Sequence, residues 1–186
     1  MLIKSYIMTS VLLASALCQA QISDGAWSTG CKNGSIKEQI YQAQEVHSSE
    51  KFFQDKGCND LSFEFITTGT VQFAESQVFV DFSYVSIWLS LSKNLLVEDF
   101  KQRKVCGISD WQISDPREIS GKNCAMFNYN KETPVPRAGD IRFGIYKTEE
   151  NRLYYGQMTQ IYDSTTPAKR PVLINRSTEY IFQPKF

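Results

Sequence analysis

The sequence predicts an all-β, mainly antiparallel fold: one closed or nearly closed barrel of about eight strands with a single short helix. Three observations predict it. Several long segments alternate apolar and polar residues with a period of two, the signature of a half-buried strand. Only one stretch carries helical spacing. The apolar strands are long, and closure into a barrel is the arrangement that leaves such strands without a bare edge.

The N-terminus reads as an export signal. Lys4 supplies a positive charge, residues 6–17 are largely apolar, and Cys18-Gln19-Ala20 ends on a small residue before Gln21. The apolar run is shorter than the roughly 20 residues a membrane span needs, and no later stretch qualifies. The expectation is a signal peptide over 1–20, cleaved after Ala20, and a periplasmic or secreted product. Leu17 stands where a lipoprotein signal wants a small residue, so a lipid anchor on Cys18 is not expected. Removing the first 20 of the 186 residues leaves 166, a length that suits one domain with a real core. It also leaves a net charge near −1, because Lys4 goes with the leader. With no basic field, nucleic acid is an unsuitable partner.

Four cysteines remain: Cys31, Cys58, Cys106 and Cys124. In an exported chain this reads as two disulfides. Of the possible connectivities, Cys31–Cys58 and Cys106–Cys124 close the shorter loops. A zinc site is not expected, because there is no Cys-x-x-Cys and His47 is the only histidine.

The clearest strand is 61–73. Leu61, Phe63, Phe65, Val71 and Phe73 share one face, and Gly69 within it marks a bulge or bend. A second covers 78–91. Val78, Val80, Phe82 and Tyr84 alternate, and then the apolar set moves to Val85, Ile87, Leu89 and Leu91, a change of phase that signals a bulge. A helix follows over 93–104, with Ser92 as its cap and Leu95, Leu96, Val97 and Phe100 on its buried side. Lys101, Arg103 and Lys104 suit the negative end of its dipole. Ile141, Phe143 and Ile145 pair through a turn near Asn151 with Leu153 and Tyr155 as a hairpin, and a last strand covers about 179–183.

Catalytic chemistry is poorly served. No Gly-x-Ser-x-Gly motif is present, oxidised cysteines leave no thiol, and His47 sits in a polar run, Glu45 to Glu50, that reads as exposed strand or turn. Asp110 and Asp115 flank Trp111, and Glu149-Glu150 reads as a solvated hairpin tip. No calcium loop or phosphate-binding loop appears. The sequence therefore predicts no catalytic residues, no metal and no cofactor, and a protein that is not an enzyme.

The chain opens Gly25-Ala26-Trp27, with Cys31 four residues after the tryptophan. This Gly-x-Trp resembles the first strand of lipocalins and related calycin barrels. In that family the tryptophan plugs the barrel floor and packs on an arginine from near the C-terminus; here Arg170 or Arg176 would serve. Trp27 to Cys31, then Asp55-Lys56-Gly57-Cys58, then a strand containing Gly69, resembles the barrel module of the adenomatosis polyposis coli down-regulated 1 proteins. The resemblance implies extracellular lipid binding. Cys106-Gly107, Trp111 and Pro116 to Gly121 resemble small exported proteins of Gram-negative bacteria.

The aromatic content, 12 Phe, 9 Tyr and 3 Trp, exceeds what a surface would carry, so most must be core. Trp27, Phe63, Phe65, Phe82, Phe143 and Tyr155 are the candidates to line an interior cavity for a small apolar molecule or lipid. The alternative is an envelope interaction module with a filled core, acting on a partner protein through the loop 128–140 with Pro134, Pro136 and Gly139. A third reading, an integral outer-membrane barrel, rests on the terminal Phe186, although Pro184-Lys185 breaks the alternation before it.

Overall fold

The computed structural model describes residues 22–74, 78–127, 129 and 131–184; the expected signal peptide lies outside them. Strands β1 (Gly25–Ser28), β2 (Ser35–Gln42), β3 (Glu45–Phe53), β4 (Leu61–Phe73) and β5 (Phe79–Leu91) each pair antiparallel with the next. Helix α1 (Asn94–Arg103) and the two-residue strands β6 (Arg117–Glu118), β7 (Asn123–Cys124) and β8 (Thr133–Pro134) follow as one long insertion. Strands β9 (Ile141–Glu149), β10 (Arg152–Gly156) and β11 (Ile174–Gln183) resume the meander, β9 beside β5 and β11 beside β1. The result is the expected closed eight-stranded antiparallel barrel with one helix.

Register and burial identify the inner wall. Trp27, Tyr41, Val46, Val71, Val80, Tyr146, Leu153 and Tyr180 form one buried cluster, completed by Phe73, Phe82, Tyr155 and Phe182. It fills the end of the barrel where the turns are short, such as Ala43-Gln44 and Glu150-Asn151. Burying a side chain of this size is worth about 1.5–3 kcal/mol, so this floor is a main source of stability.

The phase change in β5 is a bulge. Thr68 faces Ser86 while Gly69 faces Tyr84, which leaves Val85 as the extra residue. Val85 is therefore 54% exposed, not part of the apolar set that the alternation suggested. The extra residue returns Ile87, Leu89 and Leu91 to the inner side, where all three are buried. Gly69 makes room for this. A Cβ there would stand 2.4 Å from the Ser83 carbonyl oxygen and 2.5 Å from the Phe82 ring.

Strand β5 runs on beyond the end of its β9 pairing at Ser83, and the insertion packs on the apolar surface that β4 and β5 expose there. Leu89, Leu91, Val97, Phe100, Val105, Trp111 and Ile119 form a second buried cluster there. Trp111 and Phe100 meet edge to face at 5.4 Å, and the Trp111 indole donates to the Val105 carbonyl at 3.3 Å. The helix is shorter than expected. Lys93, not Ser92, occupies its N-cap without a side-chain bond, and Leu95 is 86% exposed rather than buried. Lys104 ends it in the left-handed conformation.

Both disulfides have the sequential connectivity. Cys31–Cys58 ties the β1–β2 loop to the β3–β4 loop, and Cys106–Cys124 closes the insertion. Loops of these lengths correspond to roughly 3–4 kcal/mol of stabilisation each in the chain-entropy account.

Candidate functional site

The barrel interior is occupied by its own side chains. Of the aromatics expected to line a cavity, Trp27, Phe82 and Tyr155 belong to the floor cluster, and Phe63 and Phe65 pack against the capping cluster. Phe143 departs from the expectation. It pairs with Asp81 on the outward side of the wall, opposite in phase to Val80 and Gly144.

The lipocalin-type closure of Trp27 by an arginine is not made. Phe182 meets the Trp27 ring edge-on at 5.1 Å, and the indole donates to the Ser23 carbonyl at 3.1 Å. Arg176 forks onto Glu149 and lies over the Tyr154 ring on the outer wall. Arg170 donates to Asp81 Oδ1 at 2.5 Å and to the Gly144 carbonyl at 2.6 Å. Its guanidinium lies 4.4 Å from the centre of the Phe79 ring and 5.4 Å from that of Phe143.

These contacts fasten a strap, residues 157–173, across the outside of β5, β9 and β10. The strap adds backbone bonds: Phe143 N–H to the Ser164 carbonyl at 2.9 Å, and Gln157 N–H to the Leu173 carbonyl at 2.7 Å. Gly156 permits the approach, since a Cβ there would stand 2.5 Å from Pro171 Cβ. Between strap and wall runs a groove of about 750 Å³, lined chiefly by Val78, Phe79, Ile145, Tyr162, Pro171 and Val172, with Arg170 and Lys147 as its cations. A second hollow of about 500 Å³ adjoins it through Tyr162 and Val172. Met158, Ile161, Val172 and Leu173 are each more than half exposed along the strap.

Asp163 holds the strap's own turn. It accepts from the Thr165 hydroxyl and N–H and from Lys169. These bonds, that from the Thr165 hydroxyl first, lower its pKa to about 2. A depressed carboxyl contributes order above its ordinary value near 3.8 and loses it as pH falls from there through about 2. The Asp163 carboxyl resonance should therefore titrate with a midpoint near 2. Amide protection across 157–173, measured against the intrinsic exchange rate at each pH, should fall over the same window while the floor cluster stays protected. A midpoint near 4 would show that these bonds are not held in solution.

A smaller polar hollow of about 130 Å³ opens at the barrel mouth, lined on the inner phase by Lys37, Gln39, Ser48, Glu50, Phe65, Thr67 and Tyr180, with Glu38 and Ser49 at its edge. Below it Tyr155 donates to Gln39, and the Tyr41 and Tyr155 hydroxyls lie 2.5 Å apart. Burial raises the pKa of Tyr41, Tyr155 and Tyr180, so all three remain neutral phenols.

The remaining sequence candidates are engaged or dispersed. Asp110 and Asp115 both pair with Arg117. Arg176 and then Lys147 lower the Glu149 pKa to about 2. His47 lies exposed on the outer side of β3. Of the loop 128–140, Thr133 and Pro134 form β8 and pair with β7, Thr133 opposite Cys124. Among the described residues no His, Cys, Asp and Glu side chains gather in threes as a metal would require, and no helix is long and apolar enough to cross a membrane.

No family model and no curated protein matches this chain. The fold and the grooves define it as a closed antiparallel barrel of lipocalin-like architecture, with one end filled and the other capped by a disulfide-closed insertion.

Proposed function

We propose that the protein is an exported, non-enzymatic binding protein for a small apolar molecule or lipid, which it holds under the strap on the outer wall. The observation that carries this is the groove of about 750 Å³ between Phe79, Ile145 and Val172, a volume within the range of small-molecule sites. Among the described residues two aromatic clusters occupy the interior, and the hollow at the mouth holds only about 130 Å³. Ring and proline surfaces supply the apolar contact. Lys147, half exposed and shared with Glu149 at 2.7 Å, is the cation nearest to hand for a ligand with an acidic end. The two disulfides and the leader-like N-terminus support an oxidising compartment outside the cytoplasm.

The test is titration with dodecanoate, followed by native mass spectrometry. A one-to-one adduct is expected. Val172→Asp, at a position already 64% exposed, should fold normally and bind at least about tenfold more weakly. Absence of an adduct, or an adduct indifferent to this substitution, would remove the groove as the site.

One observation favours the second reading, an envelope interaction module. The strap displays Met158, Ile161, Val172 and Leu173 together, and a partner protein would cover them. The outer-membrane reading has little support, since the outer sides of β2, β3 and β4 carry Glu38, His47, Lys51, Glu64 and Gln72 where lipid would need an apolar band.

A further inference from the structure

We propose that the polar hollow at the barrel mouth binds a small zwitterion, with Lys37 taking its carboxylate and Glu50 its ammonium. The inner wall changes character with depth. Near the floor, β2, β3 and β4 turn Tyr41, Val46 and Val71 inward, and all are buried. Toward the mouth the same inner phase of the same strands carries Lys37 opposite Glu50, Gln39 opposite Ser48, and Ser48 opposite Thr67. Barrel packing alone selects apolar side chains at inward positions, so this polar band is a departure that needs a reason.

The band is also reachable. Strand β1 stops at Ser28, opposite Glu38, and the loop after it stays bonded to β2, the Thr29 N–H donating to the Lys37 carbonyl at 2.9 Å. On its other side β1 meets β11 only over residues 181–183. The seam between β1 and β11 therefore opens above Ser28, at the level of Tyr180. The Lys37 and Glu50 side chains, 2.7 Å apart, keep about a third of their surface exposed, 37% and 34%.

The chemistry selects the ligand. On the inner phase the hollow presents one cation, Lys37, and one anion, Glu50; Glu38, which also lines it, lies on the outer phase of β2 and is paired with Lys51. A singly charged ligand would take one partner of the pair and strand the other in a partly enclosed site. A zwitterion inserted between them replaces one ion pair with two charge-assisted contacts. Gln39 and Thr67 add polar contacts, and the Phe65 and Tyr180 rings wall the sides. A volume of 130 Å³ matches about four waters, the bulk of a small amino acid rather than a peptide.

The experiment is an amide chemical-shift titration of the full folded protein with glycine, and with acetate and methylammonium as single-charge controls. Saturable shifts centred on residues 37, 50 and 180 are expected with glycine alone. Lys37→Met and Glu50→Gln should each weaken binding roughly tenfold or more while leaving the melting curve and the dodecanoate adduct of the outer groove intact. That last readout separates this site from the groove, so either can fail without the other. Equal binding of acetate overturns the zwitterion class. No saturable shift with any probe, or undiminished glycine binding by Lys37→Met, overturns the site.

Discussion

Replacing Trp111 with alanine is expected to lower stability by about 3 to 5 kcal/mol, and the melting temperature by roughly 10 °C or more. Trp111 is fully buried, and its ring fills the space between α1 and the apolar surface that β4 and β5 expose. No neighbour is placed to collapse into the gap, because Phe100 already meets the indole edge-on and the Cys106–Cys124 bridge holds the insertion's backbone. Trp111→Phe keeps most of the volume but loses the donor to Val105, and should cost only about 1 to 2 kcal/mol. Thermal and urea unfolding of the two variants checks this. If Trp111→Ala melts within about 2 °C of the parent, the insertion is an appendage that does not stabilise the barrel.

The second large effect is expected at Gly69. In most strands alanine is the better residue, so Gly69→Ala would ordinarily stabilise. Here the added methyl would meet the Ser83 carbonyl, which belongs to the β5 backbone and cannot rotate away. A loss of about 2 to 3 kcal/mol is expected, the upper part of the range for overpacking. The Phe82 ring is the other obstacle, and it is mobile in principle. Adding Phe82→Leu to Gly69→Ala should therefore not restore stability. Full restoration by the double change would identify the ring, and not the bulge backbone, as the reason for glycine.

The sequence was most readable where one face of a strand is apolar and the other polar. That holds for β4 and for β5 with its phase change; β9 and β10 are legible as a hairpin, but not in which face of β9 turns inward. It fails for β2 and β3, because both of their faces are polar toward the mouth: Lys37, Gln39, Ser48 and Glu50 inside, Glu38, His47 and Lys51 outside. Alternation carries no signal when neither side is greasy, so the run around His47 reads as exposed although Val46 in it is fully buried. The Ala43-Gln44 turn also lacks the glycine or asparagine that announces a hairpin. The cysteine pairing was legible from loop length. The strap was not, since its apolar residues follow no period and its attachment depends on Arg170 reaching Asp81 across 89 residues of chain. Phe143 was placed on the wrong face for a related reason. The apolar alternation of β9 faces outward, where Ile141, Phe143 and Ile145 lie on the side the strap crosses, while Arg142, Gly144 and Tyr146 turn inward.

Ala26 faces Gln183 across the seam that closes the barrel. The first and last strands are thus neighbours, and their outer ends, Gly25 and Gln183, lie side by side at the filled pole. A short linker between them would make the molecule a continuous ring of strands. Opening that ring at the exposed Glu150-Asn151 turn would give a circular permutant whose new ends lie at the same pole. Every loop that shapes the mouth and the strap groove would remain intact in it. In this barrel the order of the strands in sequence is a convention of where the ring is cut, and the working surfaces do not depend on it.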